Sequence, residues 1–355
     1  MRAMRFGRFG GPEVLEEADV PDPLAGPGET LVQVEAAGVN FGDIKQIAGE
    51  HTDGPYAPQG PLPRIPGMEV VGRTAAGRRV LGYVPQGGYA AKTVVADRHL
   101  VALPQGVGAG EALAVLIQGL TAWHLLRSVA RIRPGESVVV HAAAGGTGSL
   151  AVQLAREFGA GRIIATASSD EKRAFALELG ADAAIDGDAE GYRERVLDAN
   201  HGHPVDIVLD AIGGPVLDAG LDTLGHLGRL VTYGASSRQT ASAIAPSRLA
   251  VDNITVAGFW VIPLIARNGA GGAELAELLD LTARRRLRPL VGAEYDLARA
   301  RDAHEDLLGV TRRGSWSSVL EGERPSCHRT GPTVGPRRPH RMVRGTATPC
   351  PSRNR

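Results

Sequence analysis

The stretch from Val138 to Ala155 constrains this chain more than any other. It reads as an apolar strand (Val138-Val139-Val140), a glycine turn and the start of a helix, in that order. The turn has the spacing Ala142-x-x-Gly145-x-x-Gly148, with Ala142 in the first glycine slot and Gly146 and Thr147 inside it. Such a turn lets the backbone approach a pyrophosphate, which then rests on the positive N-terminus of the following helix. Strand, turn and helix together make a dinucleotide site, and the competing reading is a tight connection with no ligand.

Strand and helix alternate from Ser137 onward. Arg162–Ala167 reads as a second strand, Asp170–Leu179 as a helix stopped by Gly180, and Ala183–Ile185 as a third strand. Asp206–Asp210, Arg229–Gly234 and Ile254–Trp260 follow as a fourth, fifth and sixth. Continuous apolar strands separated by helices imply a parallel sheet covered on both faces, a Rossmann doubly wound α/β arrangement. Before Ser137 the chain is β-rich, with strands at Glu29–Asn40, Val80–Val84 and Tyr89–Val95 densely punctuated by Gly and Pro, as in a small barrel; Glu111–Val129 reads as a helix. The expected domains are a β-rich catalytic domain from residues 1–113 and 250–320, a nucleotide-binding domain from 114–249 inserted into it, and a tail, 321–355.

Composition excludes several chemistries. The formal net charge is zero, but Gly322–Arg355 holds eight Arg and one acid. Removing these from totals of 39 Lys/Arg and 39 Asp/Glu leaves 31 bases against 38 acids, an acidic body with no nucleic-acid signature. Cys327 and Cys350 both lie in the tail, so residues 1–321 offer no thiol for a disulfide, a structural zinc or a nucleophile. With no run of about 18 apolar residues and no apolar N-terminal stretch, a cytoplasmic protein without a membrane span is expected.

At the end of the second strand the chain reads Ala167-Ser168-Ser169-Asp170-Glu171-Lys172-Arg173. A carboxylate about twenty residues past the turn would hold the ribose 2′-hydroxyl of NAD; that position is Ser168. Small hydroxyls (Ser168, Ser169) followed by Lys172 and Arg173 suit the 2′-phosphate of NADP. Lys172 is one of three lysines in a chain that otherwise uses Arg. Ser169 or Asp170 also suits the cap of the next helix, and capping is compatible with phosphate binding.

The residues resemble the medium-chain dehydrogenase/reductase superfamily, in its zinc-free, zeta-crystallin-like quinone oxidoreductase branch. The resemblance rests on an ordered series between about Met4 and Leu308: Ala37–Asp43, Pro66–Gly72, Gly88–Ala90, Gln118–Ala122, His141–Gly148 and Gly228–Val231. It implies a chaperonin-10-like catalytic domain, a Rossmann domain, NADPH as cofactor, and a quinone or α,β-unsaturated carbonyl as acceptor. It also implies a homodimer built by pairing Rossmann sheet edges near Val256–Trp260. Zinc-dependent relatives carry Gly-His-Glu where this chain has Gly67-Met68-Glu69, so no metal is expected and Glu69 reads as a structural carboxylate. Without a metal, the acceptor carbonyl is polarised by hydrogen-bond donors. Asn40 offers an amide there, and Asp43 orients a partner or caps the helix that follows. The resemblance places Thr121 close to the nicotinamide, Gln118 one helical turn before it, and Gly234 and Trp260 among the cofactor contacts. His51 stands where relatives carry a tyrosine near the substrate and is a proton donor or a solvated loop histidine; Tyr56 is the fallback donor. Lys45 replaces a second aromatic, and Gly187 a tyrosine near the phosphate. Rival readings are an enoyl-thioester or tailoring reductase, and an NADPH-binding protein without turnover.

Relatives end in a strand of the type Arg-Gly-Lys-Leu-Val-Leu soon after the segment matched by His304–Leu308. Here the chain reads Arg312-Arg313-Gly314-Ser315-Trp316-Ser317-Ser318. Codons of the form GGA AGC TGG TCC TCG, read two bases later, give Lys-Leu-Val-Leu. A frameshift near Val310–Gly314 is therefore expected, with the last strand lost and the tail an unselected, disordered segment; its rival is a basic arm that binds a polyanion. Resequencing the gene across these codons should reveal the inserted or deleted bases, and an uninterrupted frame through Arg355 would overturn the expectation.

Overall fold

The computed structural model describes residues 1–50 and 60–309, together with the backbone of 317–321. The N-terminal part holds β1 (Arg2–Phe6), β2 (Leu15–Asp19), β3 (Glu29–Val39), the short helix α1 (Phe41–Ile47), β4 (Glu69–Thr74), β5 (Arg79–Tyr83), β6 (Lys92–Ala96) and β7 (Leu100–Ala102). A helical run from Ala109 to Val129 follows. In it α2 (Ala109–Ala114) and α3 (Leu120–His124) alternate with two π-turns, Val115–Gly119 and Leu125–Val129.

Next come β8 (Ser137–Val140), α4 (Gly146–Glu157), β9 (Arg162–Thr166), α5 (Asp170–Glu178), β10 (Ala183–Ile185), α6 (Tyr192–Ala199), β11 (Val205–Asp210), α7 (Gly214–Leu221), β12 (Leu224–Thr232), α8 (Pro246–Val251) and β13 (Thr255–Gly258). The chain returns through α9 (Val261–Asn268), α10 (Ala273–Ala283), β14 (Val291–Asp296) and α11 (Ala300–Leu308) to β15 (Ser317–Glu321).

Six strands form one sheet in the order β10-β9-β8-β11-β12-β13, every adjacent pair parallel. That order is the dinucleotide-binding one, with the connection reversing direction between β8 and β11. Val138, Val140, Ile163, Leu209 and Val231 bury one sheet face against the Ala109–Val129 helix and α4, while Val139, Ile164, Val208 and Leu230 bury the other against α6 and α7. Burial on both faces is why these strands read as unbroken apolar runs. Strand β13 pairs with β12 through Arg229↔Thr255 to Thr232↔Gly258, so the sheet continues past residue 249, where the domain boundary was expected.

Although the sequence holds no unbroken run of about 18 apolar residues, the Ala109–Val129 helix is long and apolar enough to cross a membrane. Among the described residues it is the only one that passes that test. Here it is an internal helix: Leu113, Leu116, Leu125 and Leu126 are fully buried.

A second, seven-stranded sheet includes the path β14-β15-β3-β4-β5-β7, with β6 also paired to β3. Strand β15 corrects the expectation that the C-terminal strand is lost. Its backbone runs antiparallel to β3 (Ser318↔Val39 to Glu321↔Ala36) and parallel to β14. Ladder hydrogen bonds come from main-chain groups, so a segment that keeps only the Val-Leu (Val319-Leu320) of Lys-Leu-Val-Leu still completes the sheet. Residues 322–355, the basic tail with both cysteines, lie outside the described residues. Ending the chain at Gly309 would strip β15 from both neighbours. The melting temperature should fall by about 5 °C or more, at about 2–4 °C per kcal/mol for domains of this size, whereas ending it after Glu321 should leave thermal unfolding within about 2 °C of the full chain.

Candidate active site

The glycine turn is built where the sequence places it. Strand β8 ends at Val140, and α4 begins at Gly146 with Gly145 as N-cap. Ala142 takes the left-handed conformation (φ 48°), which costs a residue with a side chain about 1–2 kcal/mol. Two main-chain bonds hold it there: Gly145 N–H to Ala142 O (2.8 Å) and Ala143 N–H to Thr166 O (3.0 Å). Gly148 must be glycine, because a Cβ would stand 2.3 Å from the Ala142 carbonyl oxygen. The first-turn N–H groups of Gly146, Thr147 and Gly148 have no acceptor within the helix and carry the positive end of its dipole. A turn this close to a helix start fits a pyrophosphate.

At the end of β9, Ser168 is exposed and Ser169 caps α5, its Oγ accepting the Lys172 N–H at 3.3 Å. Lys172 and Arg173 separate here. Arg173 donates to Ala167 O (2.8 Å) and pairs with Asp170 (2.6 Å) and Asp186 (3.4 Å), so it braces the loop. Lys172 has no ion-pair partner among the described residues and is the cation at this strand end that is available to a phosphate.

A buried polar cluster lies where β3 and β4 meet the Ala109–Val129 helix. Asn40 follows β3 and is 6% exposed. Its Nδ2 donates to Glu69 Oε1 (2.7 Å), and its Oδ1 accepts from Gln118 Nε2 (3.2 Å). The other Glu69 oxygen accepts the N–H of Ile117, inside the first π-turn, at 3.3 Å. Such turns shift the helical hydrogen-bond ladder and recur at functional sites. Gln118 in turn lies against the dinucleotide turn, its Oε1 2.0 Å from where a Cβ on Gly146 would stand. Contact therefore runs from Gly146 through Gln118 and Asn40 to Glu69. Thr121, one turn beyond Gln118, donates its hydroxyl to Ile117 O (2.7 Å).

Asp43 has the capping role foreseen as its alternative: its Oδ2 accepts the Asn40 N–H (2.8 Å) and also the Tyr89 hydroxyl (3.2 Å). Tyr89 shares that hydroxyl with His304 Nε2 at 3.0 Å, which ties α11 to the cluster. Burial pushes the Asp43 carboxyl up to about 7 and Glu69 up to about 8, with Asp43 adding to the rise at Glu69. Burial lowers His304 to about 4. No cation answers the two carboxyls in these hydrogen bonds, so burial prevails and both titrate near neutrality.

Gly234 follows β12 and lies beside Ala211, while Trp260, half exposed, caps α9 just past β13, three strands from the glycine turn. Lys45 is half-buried on α1, and Gly187 approaches Thr166 beyond β10. His51 and Tyr56 lie outside the described residues. Sequence reasoning did not single out Tyr89, His304 or the backbone of Ile117. Glu69 was read only as structural, although its place beside Met68 marked it as a point of departure from zinc-dependent relatives.

Comparison with known proteins gives the same architecture. Residues 26–79 match the family described as alcohol dehydrogenase GroES-like domain, and residues 146–282 that described as zinc-binding dehydrogenase. A quinone oxidoreductase of Pseudomonas aeruginosa is 33% identical over 330 residues, covering 90% of this chain and 99% of that protein. The quinone oxidoreductase of Thermus thermophilus, solved alone and with NADPH, is 38% identical with a TM-score of 0.76 over 90% of this chain and all of that one. The Escherichia coli quinone oxidoreductase, complexed with NADPH, is 28% identical with a TM-score of 0.81 over the same shares.

Raised carboxyl pKa values couple this cluster to stability with a definite sign. A carboxyl that binds its proton more tightly when folded stabilises the protein fully below its unfolded pKa, and that contribution is lost as pH rises through the folded value. Stability from Glu69 and Asp43 should therefore decline between about pH 4.5 and 8. Glu69→Gln removes one titration, so its melting temperature should fall less steeply with pH than the wild type's across that window. Parallel profiles would show that Glu69 does not titrate there.

Proposed function

The chain belongs to the medium-chain dehydrogenase/reductase superfamily, in its quinone oxidoreductase branch, and on that footing we propose that it is an NADPH-dependent oxidoreductase reducing a quinone or a related α,β-unsaturated carbonyl. The observation that carries this reading is the unbroken contact from the dinucleotide turn at Gly146, through Gln118, to the clamped amide of Asn40. Relatives solved with NADPH support the cofactor, as does the unpaired Lys172 at the end of β9.

When bound, NADPH supplies the hydride. Gly146, Thr147 and Gly148 would hold its pyrophosphate on the N-terminus of α4, and Lys172 would hold its 2′-phosphate. An acceptor oxygen that gains negative charge in the reduction would need a fixed donor. Glu69 uses one Nδ2 hydrogen of Asn40, and the second is the donor assigned to the acceptor. Clamping by Glu69 and Gln118 spares the amide any reorganisation during the reaction.

The zinc named in one family description does not fit these residues. Met68 packs its thioether against Gly42, and both oxygens of Glu69 are engaged. Among the described residues no group of three His, Cys, Asp or Glu is placed to hold a metal. That donor set supports a zinc-independent reaction. The partner is a small-molecule acceptor. A homodimer is proposed through the free edge of β13, where Val251 and Trp260 stand exposed nearby.

Initial rates of NADPH and NADH oxidation with a simple quinone, on protein stripped by chelator, test this. The NADPH rate should survive stripping. Lys172→Ala should raise KM for NADPH about tenfold, the loss of one charge-assisted contact, and leave the NADH rate unchanged. Loss of activity on chelation would sink the zinc-independent reading, and equal effects on both cofactors would sink the role of Lys172.

A further inference from the structure

Beneath the glycine turn lies a second buried network that the reaction above does not use. His141 is the residue immediately after β8, and Asp210 is the last residue of β11, its neighbour in the sheet. Both are wholly buried. Asp210 Oδ1 accepts from His141 Nδ1 and from the backbone N–H groups of Ile212 and Gly213, each at 3.0 Å. The other ring nitrogen of the imidazole is met by the Tyr192 hydroxyl from α6, 2.5 Å from Nε2. Burial pushes the Asp210 carboxyl up, but the histidine and the two backbone donors outweigh it and hold it below the ordinary aspartate value. The carboxylate is thus ionised, and His141 carries a hydrogen on Nδ1.

The donors come from two places that matter to a ligand. His141 leads directly into left-handed Ala142 and the Gly145–Gly148 turn. Ile212 and Gly213 form the turn between β11 and α7, where Gly213 has φ 74°. In open α/β sheets a ligand lies in the crevice outside the carboxyl ends of the strands, where the order reverses. Here the reversal falls between β8 and β11, the two strands that this carboxylate joins.

We propose that Asp210 is a positioning residue for the cofactor: by binding His141 and the Ile212–Gly213 turn together, it fixes the two turns between which the dinucleotide lies. This rests on the reading of Gly145–Gly148 as a dinucleotide site. Asp206 provides an internal control. It sits at the opposite end of the same strand pair and accepts from Ser137 N and Oγ, each at 2.7 Å, so it joins β8 and β11 equally well but far from the crevice.

The test compares Asp210→Asn with Asp206→Asn, measuring NADPH Kd by direct titration, KM and kcat with a quinone, and melting temperature. Asp210→Asn should raise NADPH Kd and KM about tenfold or more, with kcat at saturating NADPH within about twofold of wild type. Asp206→Asn should lower the melting temperature while leaving Kd within about twofold. If Asp210→Asn does not fold, His141→Asn takes its place with the same expected rise in Kd. Equal shifts of Kd in both variants, or a lowered melting temperature with Kd unmoved at Asp210, would reduce the network to scaffolding and overturn the proposal. Wild-type protein that binds no NADPH would instead overturn the dinucleotide reading, and this inference with it.

Discussion

A carboxyl group taken out of water must be met by donors, and at Glu69 those donors come from both halves of the molecule. Asn40 reaches it from the end of β3, and Ile117 offers its N–H from the helix that packs on the parallel sheet. Removing either would leave a buried acceptor unsatisfied, at a cost of about 1–3 kcal/mol. The geometry of the cleft follows from this requirement. Asn40 cannot turn while Glu69 holds it, and Gln118 cannot leave Gly146 without releasing Asn40.

The same logic repeats on a different footing at Asp210. Burial dominates at Glu69 and Asp43 and raises both carboxyls toward neutrality, whereas at Asp210 the histidine and two backbone N–H groups outweigh burial and hold the carboxyl low. One fold thus shifts buried carboxyls in opposite directions, according to whether burial or the groups facing each one dominate. The Glu69–Asp43 pair organises the surface toward the acceptor, and Asp210 organises the strand ends beneath the cofactor.

Local patterns were legible in the sequence. Unbroken apolar strands announced a parallel sheet because burial on both faces leaves no polar alternation, and the order Val138 to Ala155 announced the turn. Ser169 was legible as a cap because capping is decided within four residues. The partners of Glu69, Asp43 and Asp210 were not, since His141 and Asp210, or Tyr89 and His304, meet only after the sheets assemble. Arg173 misled for a related reason: its sequence neighbours suggest a phosphate ligand, but the fold supplies Asp186 and the Ala167 carbonyl instead. Strand β15 was missed because only Val319-Leu320 of the Lys-Leu-Val-Leu pattern stands there, while its place is set by the open backbone edges of β3 and β14.

The position of β15 also orders events during synthesis. The parallel sheet is complete once Gly258 has emerged, and all its pairings are among residues 137–258. The seven-stranded sheet cannot close until Glu321 appears, because β3, made at the beginning, has β15 as a neighbour. At about 5–20 residues per second that edge of β3 waits on the order of tens of seconds. During this interval an unpaired strand stands open to other chains. The nascent protein thus passes through a stage in which its nucleotide half is ready while its other half is still vulnerable to misassembly.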